Sequence, residues 1–188
     1  IVVIGANVTV SHPVLGSRIK RAHRRGAKLI VINPRQIDLC RQADIWLRPH
    51  PGTDVALLMG LIHLMVDKGL VAWSFIKDYC PRDFDGFCKS LLEFAPETVE
   101  TITGVSQEQL LEAAQVLANY TPAFFLYSTG LTHHIHSVDN VLALINLALV
   151  TGNVGFPSAG VHPLLGQNNS QGACDMGVLP DFYPGYRP

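Results

Sequence analysis

Residues 1–35 read IVVIGANVTV SHPVLGSRIK RAHRRGAKLI VINPR. The first four, Ile1-Val2-Val3-Ile4, form a continuous apolar run that stops at Gly5-Ala6-Asn7. Such a run is how a strand buried on both faces reads. From about Pro13 to Arg25, Leu15, Ile19 and Ala22 recur at helical spacing, with Pro13 suited to the first turn and Gly26 to the stop. Lys28–Ile32 is a second apolar run, and it ends at Asn33-Pro34-Arg35, where proline lacks the donor a strand needs. Strand, helix, strand in this order predicts a parallel pair with a helical crossover.

The pattern continues outward. Asp44–Arg48 reads as a third, shorter strand, and Pro51-Gly52-Thr53-Asp54 opens a long apolar helix to about Lys68, with Thr53 or Asp54 as its N-cap. Trp73–Tyr79, Asp83–Phe94 and Ser106–Tyr120 read as helices, the last opened by a capping box of Ser106 and Gln109. Ala123–Tyr127 is a further strand, ending at Ser128-Thr129-Gly130, and Ser137–Thr151 is a largely buried helix. The expectation is an α/β, Rossmann-like fold: an open, mostly parallel sheet with helices on both faces. After Gly152 the periodicity vanishes, so residues 153–188 are predicted to be irregular.

Composition narrows the function. The chain has 188 residues, 48% hydrophobic and only 15% charged, with a formal net charge of -1. That balance argues against a nucleic-acid binder, which needs a basic face. The local cluster of Arg18, Lys20, Arg21, Arg24, Arg25 and Lys28 reads first as the solvated face of one helix and second as a docking face for an acidic partner. Cys40, Cys80, Cys88 and Cys174 form no Cys-x-x-Cys pair and fit reduced, buried thiols better than a disulfide framework. His133, His134 and His136 lack the spacing and the accompanying carboxylates of a zinc site. The apolar stretches Val55–Val66 and Val141–Val150 fall short of the roughly 20 residues of a membrane span. Both ends read as cuts in a longer chain, so missing targeting signals say little about location.

In open α/β sheets ligands bind beyond the carboxyl ends of the strands. Four such ends carry Gly, Asn, Thr, Asp, Arg or His: Gly5-Ala6-Asn7, Asn33-Pro34-Arg35, Pro51-Gly52-Thr53-Asp54, and Ser128 to His133. Turns favour these residue types in any case, but four polar ends on one edge point to a nucleotide-like ligand. Asp54 can accept from the paired N–H donors of a guanine, and Arg35 can meet a phosphate with its forked donors. No Gly-x-Gly-x-x-Gly follows the first strand and no P-loop is present. Nor is there a nucleophile elbow, a His-Glu-x-x-His or a paired-carboxylate motif. The stretch Gly160–Gly177, dense in Gly, Asn and Gln, suits close approach to a polar group. The whole reads as a cofactor cradle with little chemistry of its own.

Five motifs in this order carry a resemblance: Gly5 to Pro13, Ile32-Asn33-Pro34-Arg35, Pro51-Gly52-Thr53-Asp54, Thr151-Gly152-Asn153-Val154-Gly155, and Gly166 to Gly177. Together they resemble the formate dehydrogenase alpha (large) subunit of the molybdopterin oxidoreductase (dimethyl sulfoxide reductase) family, over essentially the whole chain. The resemblance implies a bis(molybdopterin guanine dinucleotide) cofactor holding molybdenum or tungsten. It also implies an iron–sulfur cluster in a part of the parent subunit outside this chain. Residues 1–152 would be the Rossmann-like cofactor-binding domain, and 153–188 a cofactor-contacting segment leading into a neighbouring domain. Gly5, Asn7, Ser11, Asn33, Pro34, Arg35, Gly52 and Asp54 match the family's guanine-end motifs. Thr129, Gly130 and His133 match the loop that approaches a pterin, and Gly166 and Gln167 the loop beneath the metal. The expected partners are a small-molecule substrate, the remaining domains of the subunit and iron–sulfur electron-transfer subunits, with no nucleic acid and no membrane span. Cytoplasmic and exported members both exist, and the cytoplasm is the expected site. Where formate dehydrogenases carry Arg before this Gly-Gln pair, the chain has Leu165, and Asn33 stands where Asp is common. The substrate implied is therefore formate or another small molecule, and a non-catalytic structural paralogue is the alternative.

Overall fold

The computed structural model describes residues 1–80 and 82–188. Its strands are β1 (Val2–Ile4), β2 (Ile30–Ile32), β3 (Ile45–Leu47), β4 (Phe124–Tyr127) and β5 (Gly160–Pro163). They form one sheet in the order β3-β2-β1-β4-β5, and every neighbouring pair is parallel. The helices are α1 (Val8–Ser11), α2 (Pro13–Arg24), α3 (Asp54–Asp67), α4 (Trp73–Tyr79), α5 (Phe84–Ser90), α6 (Pro96–Thr103), α7 (Gln107–Asn119), α8 (Thr129–Thr132), α9 (Ser137–Val150) and α10 (Ser170–Asp175). Two 3-10 turns, Asp38–Arg41 and Leu91–Phe94, complete the path. The expected helix over Asp83–Phe94 is α5 followed by the second of these turns.

The strands are short, but successive side chains point to opposite faces and both faces are covered. Val2, Ile4, Ile30, Ile32, Ile45, Leu47 and Phe125 pack into one core together with α3, α7 and α9. Val3, Val31 and Leu126 point the other way, into a smaller core with Ile19 of α2, Ile37 and Leu39. Each fully buried aliphatic side chain stabilises the fold by about 1.5–3 kcal/mol. Helix α3 is apolar on all sides because it lies inside: Leu57, Leu58, Leu61, Ile62 and Met65 are at most 1% exposed, and α6, α7 and α9 all pack on it. The α6 contact is close enough that a Cβ on Gly60 would lie 2.6 Å from Val99 Cγ2.

Residues 153–188 are less irregular than the sequence predicts. β5 pairs with β4 over four residues, Phe124 with Gly160 through Tyr127 with Pro163. Gly-Val-His-Pro shows neither alternation nor an apolar run, and a strand ending in proline is tolerated at a sheet edge. Asn153 ties this edge down. Its Oδ1 accepts from the Ala123 N–H at 2.6 Å, and its Nδ2 donates to Thr151 Oγ1 at 2.8 Å. The Thr151-Gly152-Asn153 motif thus joins the end of α9 to the start of β4.

The basic cluster is a surface feature. Arg18, Arg21, Arg24 and Arg25 are exposed, while Lys20 pairs with Asp38 at 2.5 Å and Lys28 with Asp44 at 2.8 Å. Partial burial of Asp44 opposes its ionisation, but donors from Lys28 and the Leu29 N–H outweigh it and hold the carboxyl below its ordinary range. All four cysteines are free thiols, but only Cys40 is buried as expected; Cys80, Cys88 and Cys174 are half-buried. No helix among the described residues is long and apolar enough to cross a membrane.

Candidate functional site

The chain runs from β1 out to β2 and β3, then returns to place β4 on the other side of β1. The order therefore reverses between β1 and β4, and a crevice opens at such a switch point. A cleft of about 160 Å³ lies there, walled by Gly5 after β1, Asn33 and Pro34 after β2, Pro49, Pro51 and Asp54 after β3, and Gly130 after β4. His50 and His134 complete its lining. Four separate strand ends thus meet in one place, as the sequence predicts for them.

Close backbone approach explains the glycines. Gly5 adopts φ +55, a left-handed conformation that other L-residues adopt at a cost. A Cβ on it would lie 2.7 Å from the carbonyl carbon of Gly130. The Gly130 N–H donates to the Gly5 carbonyl at 2.9 Å, and the Gly5 N–H to the Ile32 carbonyl at 3.0 Å. The floor of the cleft is bare main chain, able to sit against a planar group.

The polar groups are held by the scaffold. Asn33 is buried, its Oδ1 accepts from the Arg35 N–H at 2.9 Å, and its carbonyl accepts from Trp46 Nε1 at 2.9 Å. Arg48 Nε donates to the Pro34 carbonyl at 3.0 Å. Asp54 is the first residue of α3 and only 7% exposed. Burial pushes its carboxyl above the ordinary range, against the charge of nearby His134 and a bond from its own N–H. Thr53 occupies the N-cap position, but its hydroxyl donates back to the His50 carbonyl at 2.7 Å instead of capping the helix. A buried carboxylate at a helix start, facing a cleft, is an acceptor pair waiting for donors.

A second set of residues gathers nearer β5. Ser11 Oγ donates to the Asn7 carbonyl at 3.2 Å, and His12 Nδ1 meets Ser11 Oγ at 2.9 Å. His12 Nε2 reaches the Leu165 carbonyl at 3.2 Å, so the loop after β1 grips the loop after β5. The Leu164 N–H donates to the Tyr127 carbonyl at 2.7 Å, and Ser128 Oγ to the Leu164 carbonyl at 2.8 Å. Beyond this anchor Gly166 and Gln167 are exposed.

Of the thirteen residues expected at a site, Gly5, Asn33, Pro34, Asp54 and Gly130 line the cleft. Asn7 and Ser11 belong to the second set with the anchor of the Gly166–Gln167 loop. Arg35, Gly52, Thr129 and His133 are exposed and lie outside the cleft lining. Pro51 belongs to the expected Pro51–Asp54 strand end, whereas Pro49, His50 and His134 are lining residues that the sequence reading missed. Residue type alone does not tell His134 from His133; only the turn of α8 brings the second ring inward. Two roomier hollows lie elsewhere, about 440 Å³ beside Ile1, Tyr120 and Phe124 and about 600 Å³ beside Phe75, Thr151 and Phe156. The first is at the amino ends of the strands, and neither gathers charged or amide groups from several strand ends. The smaller cleft is therefore the candidate site.

Comparison with known proteins places these features. The family model for molybdopterin oxidoreductases matches residues 1–184. The F420-dependent formate dehydrogenase subunit alpha of Methanocaldococcus jannaschii is 42% identical over 187 residues, covering 100% of this chain and 28% of that protein. Formate dehydrogenase H of Escherichia coli is 41% identical, covering 98% of this chain and 26% of that one. Among solved structures, acetylene hydratase from Pelobacter acetylenicus superposes with a TM-score of 0.79 at 27% identity, over 85% of this chain and 22% of the hydratase. The chain spans about a quarter of the length of the curated relatives it matches. With a match across nearly its whole length and a parallel sheet whose strand ends converge on one cleft, the chain belongs to the molybdopterin oxidoreductase family.

Proposed function

We propose that this chain is the part of a molybdenum or tungsten oxidoreductase, formate dehydrogenase-like, that binds one guanine-nucleotide end of a bis(molybdopterin guanine dinucleotide) cofactor. One observation carries the reading: the buried Asp54 carboxylate shares a cleft with the Gly5–Gly130 main-chain floor at the switch point. The cleft's volume of about 160 Å³ is well below the roughly 300 Å³ at which pockets begin to enclose whole small ligands. It suits a base, with the rest of a larger cofactor lying outside. Asp54 would accept from the base's paired donors, while Gly5, Asn33, Pro34 and Gly130 provide surface and main-chain contacts. Asn7, Ser11, Arg35 and Gly52 would follow the nucleotide outward, Thr129 and His133 would approach a pterin, and Gly166 and Gln167 would pass beneath the metal.

When bound, such a cofactor supplies the two-electron chemistry. This chain's residues would bind and orient it, and none of the described residues is assigned as a catalytic acid or base. The parent subunit would pass electrons to iron–sulfur clusters in its other domains and partner subunits. Formate is one substrate. Leu165 favours a second reading, in which the substrate is another small molecule, because an aliphatic side chain cannot hold a carboxylate as Arg does.

The test is Asp54→Asn in the full-length parent, read as molybdenum or tungsten content and released guanine nucleotide. Loss of charge-assisted hydrogen bonds worth about 1.5–3 kcal/mol should weaken cofactor binding roughly ten- to hundred-fold. Full occupancy in a folded variant would remove Asp54 from the site and this reading with it.

A further inference from the structure

The basic face of α2 has no part in the cofactor reading. Residues 1–50 carry nine of the 14 Lys and Arg but only two of the 15 Asp and Glu, so their formal charge is +7 against -8 for the rest of the chain. Those two acids do not neutralise the helix. Asp38 is taken by Lys20 and Asp44 by Lys28. Arg18, Arg21 and Arg25 are exposed, and among the described residues they form no ion pair.

Their spacing makes one surface. Val14, Arg18, Arg21 and Arg25 follow at intervals of four, three and four, which sets them along one side of α2 and its C-cap. Gly16 and Ile19 are buried, so another side of the helix meets the core. Val14 is 70% exposed, and Val10, in the turn α1 just before, is 75% exposed. The face is thus apolar at its start and cationic beyond. A solvated helix face usually alternates its charges, whereas α2 contains no Asp or Glu at all. Cations three and four residues apart repel and weaken the helix that carries them. Carboxylates laid along this side remove that repulsion.

We propose that this face docks an acidic protein surface, with carboxylates on Arg18, Arg21 and Arg25 and an apolar side chain against Val10 and Val14. Arginine's planar fork suits carboxylates, and an apolar centre beside arginine is the usual make-up of a protein interface. Nucleic acid fits less well, since its phosphates have no use for two bare valines and are repelled by the acidic remainder of the chain. A lipid surface calls for larger apolar side chains than valine. The inference is independent of what the cleft binds.

The test uses the full-length parent and three labelled probes followed by fluorescence anisotropy. They are a peptide of glutamates flanking a pair of leucines, a DNA duplex, and vesicles of phosphatidylcholine with phosphatidylserine. The peptide should bind more tightly than the other two. Replacing Arg18, Arg21 and Arg25 together by Gln should weaken the peptide about tenfold, the sum of three exposed pairs. Val14→Ser leaves every charge in place and should weaken it by about fivefold. Circular dichroism checks that each variant is folded. Should the triple variant not fold, Arg21→Gln alone decides, with an expected loss of about twofold to fivefold. A peptide that does not bind, as when the rest of the parent already covers this face, overturns the proposal. So does equal binding to the parent and the Gln variant, or a duplex or vesicle bound as tightly. Indifference to Val14→Ser overturns it too, because a charge run alone would then account for the binding.

Discussion

The cleft at the β1–β4 switch point and the loop from Gly166 to Gly177 both face the same edge of the sheet, yet they are built in opposite ways. In the cleft, Asn33 and Asp54 are 9% and 7% exposed and are positioned by strands and helix starts. In the loop, Gly166, Gln167, Asn168 and Asn169 are exposed, and Met176 is 73% exposed. The loop is held mainly by its own contacts, such as Gln171 Nε2 to Asp175 at 2.9 Å and to the Tyr186 hydroxyl at 2.8 Å. Its composition is the more distinctive and its placement the less constrained. In the cleft, the fold and the proposed recognition use the same residues. In the loop they separate after Leu165, whose carbonyl meets His12.

If that contrast is right, changes in the cleft damage the fold and changes in the loop do not. The largest effect is expected from Gly5→Val. A left-handed β-branched residue pressed against the Gly130 backbone should cost about 3 kcal/mol, read as a drop in denaturant midpoint together with lost cofactor. A tolerated Val would show that the backbone contact is not needed. Asn153→Ala comes next. It leaves the buried Ala123 N–H without its acceptor and should cost about 1–3 kcal/mol, with early hydrogen exchange along β4 and β5. If it costs no more than a surface change, β5 is not tied to the sheet as described. Smallest is Leu165→Arg, within about 0.5 kcal/mol in stability. Its effect should appear in kinetics instead, as a KM for formate lowered by roughly tenfold, the worth of one hydrogen bond to a charged group. A parent that already oxidises formate well, with Leu165→Arg changing nothing, would end the case for another substrate.

The same contrast explains what could be read before the structure. β1, β2, β3 and β4 announce themselves because strands covered on both faces must be apolar throughout. α3 and α9 are long and apolar, and Ser106 caps α7 by accepting from the Gln109 N–H at 3.4 Å. β5 was illegible because a four-residue edge strand needs little burial: Gly160, Val161 and His162 are only half-buried. The turns α1 and α8 and the helix α6 lack a full apolar stripe of their own. Asp54 was legible as a candidate for the cleft from its place at a strand-to-helix junction. His134 was not, because its place in the lining depends on which of two adjacent rings the α8 turn brings inward.

The central position of β1 has a further consequence for how the chain is made. β1 can pair with β2 as soon as Ile32 has left the ribosome, since Val2 aligns with Ile30 and Ile4 with Ile32. Its other edge aligns with Phe125 to Tyr127 and stays open until those residues, more than ninety positions after Ile32, have also been synthesised. During that interval a three-stranded apolar half-sheet presents an unpaired edge to the cell, the condition under which nascent chains cross-pair. Long-range parallel pairing of this kind is slow to close. Yield of the folded protein should therefore depend more on translation speed and chaperone supply around residues 33–127 than on anything in the Gly166–Gly177 loop.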